Sequence, residues 1–139
     1  MQKTTNLASL LWEVDHMGYQ QVFNRFYTTI DMIYMDSGIV ADAILDTSDD
    51  DFYSAIGGIY HLITGKKPEG WDFLSEQEIV ACMKAETGVD IGKTRYLSGN
   101  EYPLYKLGRF SLFQIIMSLE NTHGQTYKQI AEWFGEHPR

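Results

Sequence analysis

Long apolar runs, cysteine pairs and nucleophile motifs are all missing from these 139 residues. No stretch approaches the roughly 18 apolar residues of a spanning helix. "LASLLW", the one apolar core near the start, is too short for a signal peptide and is soon followed by Glu13 and Asp15. The expected setting is therefore soluble and cytoplasmic, with no membrane partner. A lone cysteine, Cys82, rules out an intramolecular disulfide and suits a reducing compartment. Cys82 sits beside Met83 with no histidine nearby, which suits a small buried apolar role. There is no G-x-S-x-G, C-x-x-C or H-E-x-x-H, so hydrolase and redox chemistry have no local support. Proline is scarce, at three residues, and little interrupts helical patterns.

Aromatic residues are plentiful, at 14% of the chain with nine Tyr, seven Phe and three Trp. That supply of burial argues for one globular domain over 1–139 and against disorder. Base is in short supply, and the net charge is −8. The deficit is local: residues 1–65 hold nine acids and two bases, residues 66–109 hold seven of each, and residues 110–139 hold three acids and two bases. An acidic half attracts basic partners and disfavours nucleic acid.

Start and stop signals along the chain are mostly helical. Leu7, Leu10, Leu11 and Val14 fall on one face of a helix over about 5–16, with Gly18 as its stop. A second helix is expected from about Tyr19 to Asp36, and a short third piece from Ile39 to Ile44. In "DTSDDD", Ser48 would cap a helix whose first turn holds Asp49, Asp50 and Asp51, with a stripe through Phe52, Ala55, Ile56, Ile59, Tyr60 and Ile63 and an end at Gly65. "LSEQEI" at 74–79 is a capping box that opens a helix closing at Gly88. Residues 89–108 change character, with short β-favouring pieces at Arg95–Leu97 and Tyr102–Tyr105 around "SGNE", and predict a small hairpin or a long loop. "RFSLFQIIMSLEN" at 109–121 is apolar on most sides and predicts a buried central helix. The expected fold is an all-α bundle of six or seven short helices, with that hairpin or loop at about 89–108.

The closing "TYKQIAEWFG" resembles the first helix of a helix-turn-helix unit. No second helix follows Gly135, and the capping box of Thr126 and Gln129 with Pro138 behind marks a complete packing helix. Its face of Tyr127, Ile130, Ala131 and Phe134 should pack on the apolar helix before it.

Three motifs come close to known chemistry. "GVDIGKT" has three residues between Gly88 and Gly92 where a P-loop needs four, and it follows a helix, so it reads as a cap and turn. "DTSDDD" starts like a calcium loop, but Asp51 stands where the turn glycine belongs and Gly57 where the bidentate glutamate belongs. Two E-x-x-H pairs, Glu13 with His16 and Glu120 with His123, resemble the ligands of di-iron bundles. Both sit at expected helix ends, where histidine is favoured by the dipole, so no metal and no cofactor is expected.

The functional expectation is a non-enzymatic antagonist, such as an immunity protein, an antitoxin or a phage-type inhibitor. Its partner would be a basic nuclease or nucleic-acid machine. The acids expected to meet it are Asp31, Asp36, Asp42, Asp46, Asp49, Asp50 and Asp51, and the aromatic anchors are Tyr27, Tyr34, Tyr53 and Trp71. A second expectation is an adaptor contacting nucleic acid through 92–109, where Lys93, Arg95, Lys106 and Arg109 interleave with Tyr96, Tyr102 and Tyr105. The third is a di-iron enzyme built on the E-x-x-H pairs.

Overall fold

The computed structural model describes residues 6–21, 52–65 and 76–137. Helix α1 spans Leu7–His16, and two extended residues, β1 (Gln20–Gln21), pair in parallel with β2 (Phe52–Tyr53). Helix α2 covers Ala55–Thr64 and helix α3 covers Glu76–Thr87. Strands β3 (Thr94–Ser98) and β4 (Leu107–Ser111) form an antiparallel hairpin. Helix α4 (Leu112–Met117) continues directly into a π-turn over Ser118–Thr122, and helix α5 spans Tyr127–Glu136.

The described residues are thus mixed α/β, with five helices and a two-stranded antiparallel sheet, and the all-α expectation is corrected. Two causes stand out. The hairpin exists, but its second strand is Leu107–Ser111. Residues 102–105, expected to be that strand, form the turn instead. The strand also takes the first residues of the expected helix at 109–121, which begins only at Leu112. Ser111 is the switch: its side chain accepts from the Gln114 N–H while Gln114 accepts from the Ser111 N–H, a closed capping box. Apolarity on every side marks a buried segment, and it cannot separate a strand from a helix.

The second correction concerns 19–21 and 52–54. Neither the helix expected from Tyr19 nor the one capped at Ser48 begins there. Gln20 and Gln21 are extended, and α2 starts behind Ser54, whose side chain accepts from the Gly57 N–H. The first turn of α2 holds no acid. The dipole account of Asp49, Asp50 and Asp51 therefore fails for this helix. The expected pieces at 22–44 and the Ser75 cap lie outside the described residues.

Elsewhere local signals and structure agree. Asn6 and Ser9 form a reciprocal cap on α1, and Leu7, Leu10, Leu11 and Val14 are its buried stripe. Gly65 and Gly88 sit at positive φ where their helices end. Thr126 and Gln129 cap α5 as expected, although α5 runs through Gly135 to Glu136. Its buried face, Tyr127, Ile130, Ala131, Trp133 and Phe134, packs mainly on α1 and only in part on the segment just before it. The α1–α5 layer, α2 and the fully buried residues of α4 make one core around Leu11, Ile56, Phe113, Ile116 and Ile130.

Candidate functional site

The hairpin is the most distinctive surface among the described residues. Its alternation sends Leu97 and Phe110 into the core and leaves Thr94, Tyr96 and Ser98 on β3 and Leu107 and Arg109 on β4 facing out. Tyr96 stands opposite Arg109, and Ser98 opposite Leu107. The large side chains displayed are exposed far beyond ordinary core spill-over: Tyr96 at 53%, Tyr102 at 69%, Tyr105 at 63% and Leu107 at 65%. Tyr102 and Tyr105 meet edge to face at 5.9 Å.

The ribbon is braced from behind. The Arg95 guanidinium donates to both carboxylate oxygens of Glu101, at 2.9 and 3.1 Å, and to the His137 carbonyl at 3.1 Å. It also lies 5.2 Å over the Trp133 ring. The Trp133 indole N–H donates to the Tyr102 carbonyl at 2.8 Å, and His137 stacks on the same ring at 4.3 Å. At the tip the Tyr102–Pro103 peptide is cis and Tyr105 has φ +40. A tyrosine in the left-handed region is strained by about 1–3 kcal/mol. The surrounding bonds, including Tyr105 N–H to the Glu101 carbonyl at 3.1 Å, hold it there. Behind β3, a cleft of about 580 Å³ opens between the start of α1, residues 88–95 and the end of α5.

Glu120 forms a second, interior centre. It is fully buried in the π-turn, where its Oε2 accepts from the Gln21 amide and from the Ala55 N–H, both at 2.7 Å. Gln21 also donates to the Gln125 carbonyl at 3.0 Å and accepts from the Tyr127 N–H at 3.0 Å. One glutamine and one glutamate thus tie β1, the start of α2, the π-turn and the start of α5. Glu120 Oε1 has no hydrogen-bond partner among the described residues. Burial pushes the carboxyl up to about 8, against the opposing effect of the two hydrogen bonds. Nearby on α2, His61 meets the Tyr19 hydroxyl at 2.7 Å.

The residues singled out from sequence fare unevenly. Asp31, Asp36, Asp42, Asp46, Asp49, Asp50, Asp51, Tyr27, Tyr34 and Trp71 lie outside the described residues, and Tyr53 is described only as a backbone position in β2. The E-x-x-H pairs separate in character. Glu13 and His16 are exposed, whereas Glu120, expected at a helix end, is an interior residue. Partial burial lowers the His123 imidazole below its ordinary value. No group of three or more His, Cys, Asp or Glu able to hold a metal occurs among the described residues. The P-loop-like stretch is a helix cap, a turn with the Asp90 carboxylate accepting from the Gly92 N–H, and then β3, the wrong order for a phosphate cradle. Cys82 is half-buried on α3. No described helix is long and apolar enough to cross a membrane.

Sequence reading did not anticipate the interior Glu120, the Arg95–Glu101 pair or the exposed Leu107. The tyrosine spacing around "SGNE" was the available signal for the ribbon. No protein-family model, no curated protein and no solved structure matches the chain.

Proposed function

We propose that this chain is a binding protein rather than an enzyme, an antagonist or adaptor that works through its surface. The observation that carries this reading is the ribbon: a braced, strained hairpin that keeps three tyrosines and a leucine more than half in water. Exposed aromatic groups clustered on a preorganised frame are what interfaces use as anchors, because little side-chain freedom is left to lose on binding.

A second feature favours the antagonist form of this reading. Seven aspartates fall between residues 31 and 51 in a chain of net charge −8. Such a segment would steer toward a basic protein, a nuclease or a nucleic-acid machine, as an immunity protein, antitoxin or phage-type inhibitor does. The test is a pull-down from the native host at low and high salt, with wild type, a Tyr96→Ala/Tyr102→Ala variant and an Asp49→Asn/Asp50→Asn/Asp51→Asn variant. A basic partner released by salt and lost with the aspartates supports the antagonist. A partner lost with the tyrosines supports the ribbon. Capture of nothing by wild type at either salt sinks the binding reading.

A further inference from the structure

Two kinds of group stand side by side on the outer face of the ribbon. Tyr96 lies across from Arg109, and Tyr102 and Tyr105 continue the aromatic surface past the strand ends. Arg109 is exposed on this face and makes no ion pair among the described residues, whereas Lys93 lines the cleft behind β3. Glu101, the single acid between residues 93 and 109, is drawn back onto Arg95. The segment holds four bases and one acid, a surplus of +3, and its outer face sets the Arg109 guanidinium beside aromatic planes with Glu101 turned away.

We infer that the ribbon binds single-stranded nucleic acid, with bases stacked on Tyr96 and on the Tyr102–Tyr105 pair and a phosphate against Arg109. The inference rests on the reading of the ribbon as the binding surface and names its partner. Unpaired bases offer the flat faces that exposed tyrosines can stack on, and their backbone supplies the negative charge. A duplex hides those faces. An acidic polypeptide would answer the cations and leave the rings without planar partners. Tyr96 is two residues from the strand end at Ser98, roughly 7 Å along the strand, the rise of about two stacked bases.

The net charge of −8 opposes nucleic-acid binding. At physiological salt the screening length is about 8 Å, so the charges nearest the ribbon, its own surplus of +3 among them, weigh most at contact. The acidity of the chain as a whole keeps the binding weak and sensitive to salt.

The test is fluorescence anisotropy with labelled oligo-dT and oligo-rU of about ten nucleotides, from about 50 to about 200 mM salt. Wild type should bind at the low end, with affinity falling along a log–log slope of about −0.7 for one phosphate contact. Tyr96→Ala and Tyr102→Ala should each weaken binding about 5- to 150-fold and leave the slope unchanged. Arg109→Ala should flatten the slope by about 0.7, and Lys93→Ala, on the cleft behind β3, should leave it unchanged. All four side chains are exposed, so circular dichroism should show every variant folded. No binding at about 50 mM salt overturns the inference. So does binding indifferent to these substitutions, or tighter binding of a duplex or of polyglutamate. If oligonucleotides fail while the tyrosine variant still loses its host partner in the pull-down, the partner named here is wrong and the binding surface stands. If both fail, the surface falls as well.

Discussion

Glu120 sits inside the protein with two neutral hydrogen-bond donors on one oxygen and none on the other. Its carboxyl, ordinarily near 4.5, is pushed up to about 8 by burial. Between those values the folded chain holds a proton that the unfolded chain has released. Stability should therefore fall as pH rises from about 4.5 to about 8 and level off above. The loss should be on the order of a few kcal/mol. Glu120→Gln reproduces the shape of the protonated side chain, so its stability should change far less over the same range and should exceed wild type at pH 9. Urea midpoints at pH 5, 7 and 9 would decide this; a wild type flat across that range would mean that Glu120 is ionised throughout. Other single residues also carry weight. Arg95 and Glu101 are only 12% and 16% exposed as side chains, so the pair is largely desolvated. Glu101→Ala should destabilise by about 2 kcal/mol, since it leaves a guanidinium short of its partner. It should also speed amide exchange at Leu104 and Tyr105, whose N–H groups bond the residue-101 carbonyl.

At the scale of elements, the contact of α1 with α2 is set by a missing side chain. A Cβ on Gly58 would stand 2.7 Å from Val14 Cγ1, below any normal contact. Val14 is fully buried and stiff at χ1, so it cannot turn aside. Gly58→Ala would gain about 1 kcal/mol in helix propensity and lose about 1–3 kcal/mol to overpacking. The expected result is a net loss of about 1 kcal/mol, read as a lower denaturant midpoint with an unchanged slope. A raised midpoint would show that the two helices part freely. Caps explain why so many element boundaries were legible. Thr126 and Gln129 bond groups within three residues of themselves, so their sequence context is their structural context. Strands lack such local punctuation. Arg109–Ser111 read as the start of a helix because the run from Phe110 to Leu119 is apolar on most sides, and they become strand only by pairing with Thr94–Tyr96.

For the whole molecule, charge and stability point to opposite ends of the pH scale. The isoelectric point is about 4.8, where repulsion between molecules vanishes. Light scattering should show self-association strongest near that pH and suppressed at pH 8. Glu120 meanwhile makes the fold most stable on the acid side. The chain should thus be firmest where it is least soluble, and aggregates formed near pH 4.8 should redissolve as folded protein. A single unfolding and precipitation event on acidification would contradict this separation.

Composition and short-range pattern alone determined the buried stripe of α1, the cap of α5, the left-handed glycines ending α2 and α3, and the uneven charge. Each depends on residues a few positions apart, which any sequence window contains. Only the tertiary structure decided that the fold is mixed, that Glu120 is interior and that the tyrosines stand outside. Glu120 is positioned by Ala55 and Gln21, 65 and 99 residues away. The ribbon's brace runs from Arg95 to His137 across 42 residues. Whether a side chain is buried or displayed is fixed by what the rest of the chain places beside it. Residue type sets the energy of either outcome and leaves the choice to packing.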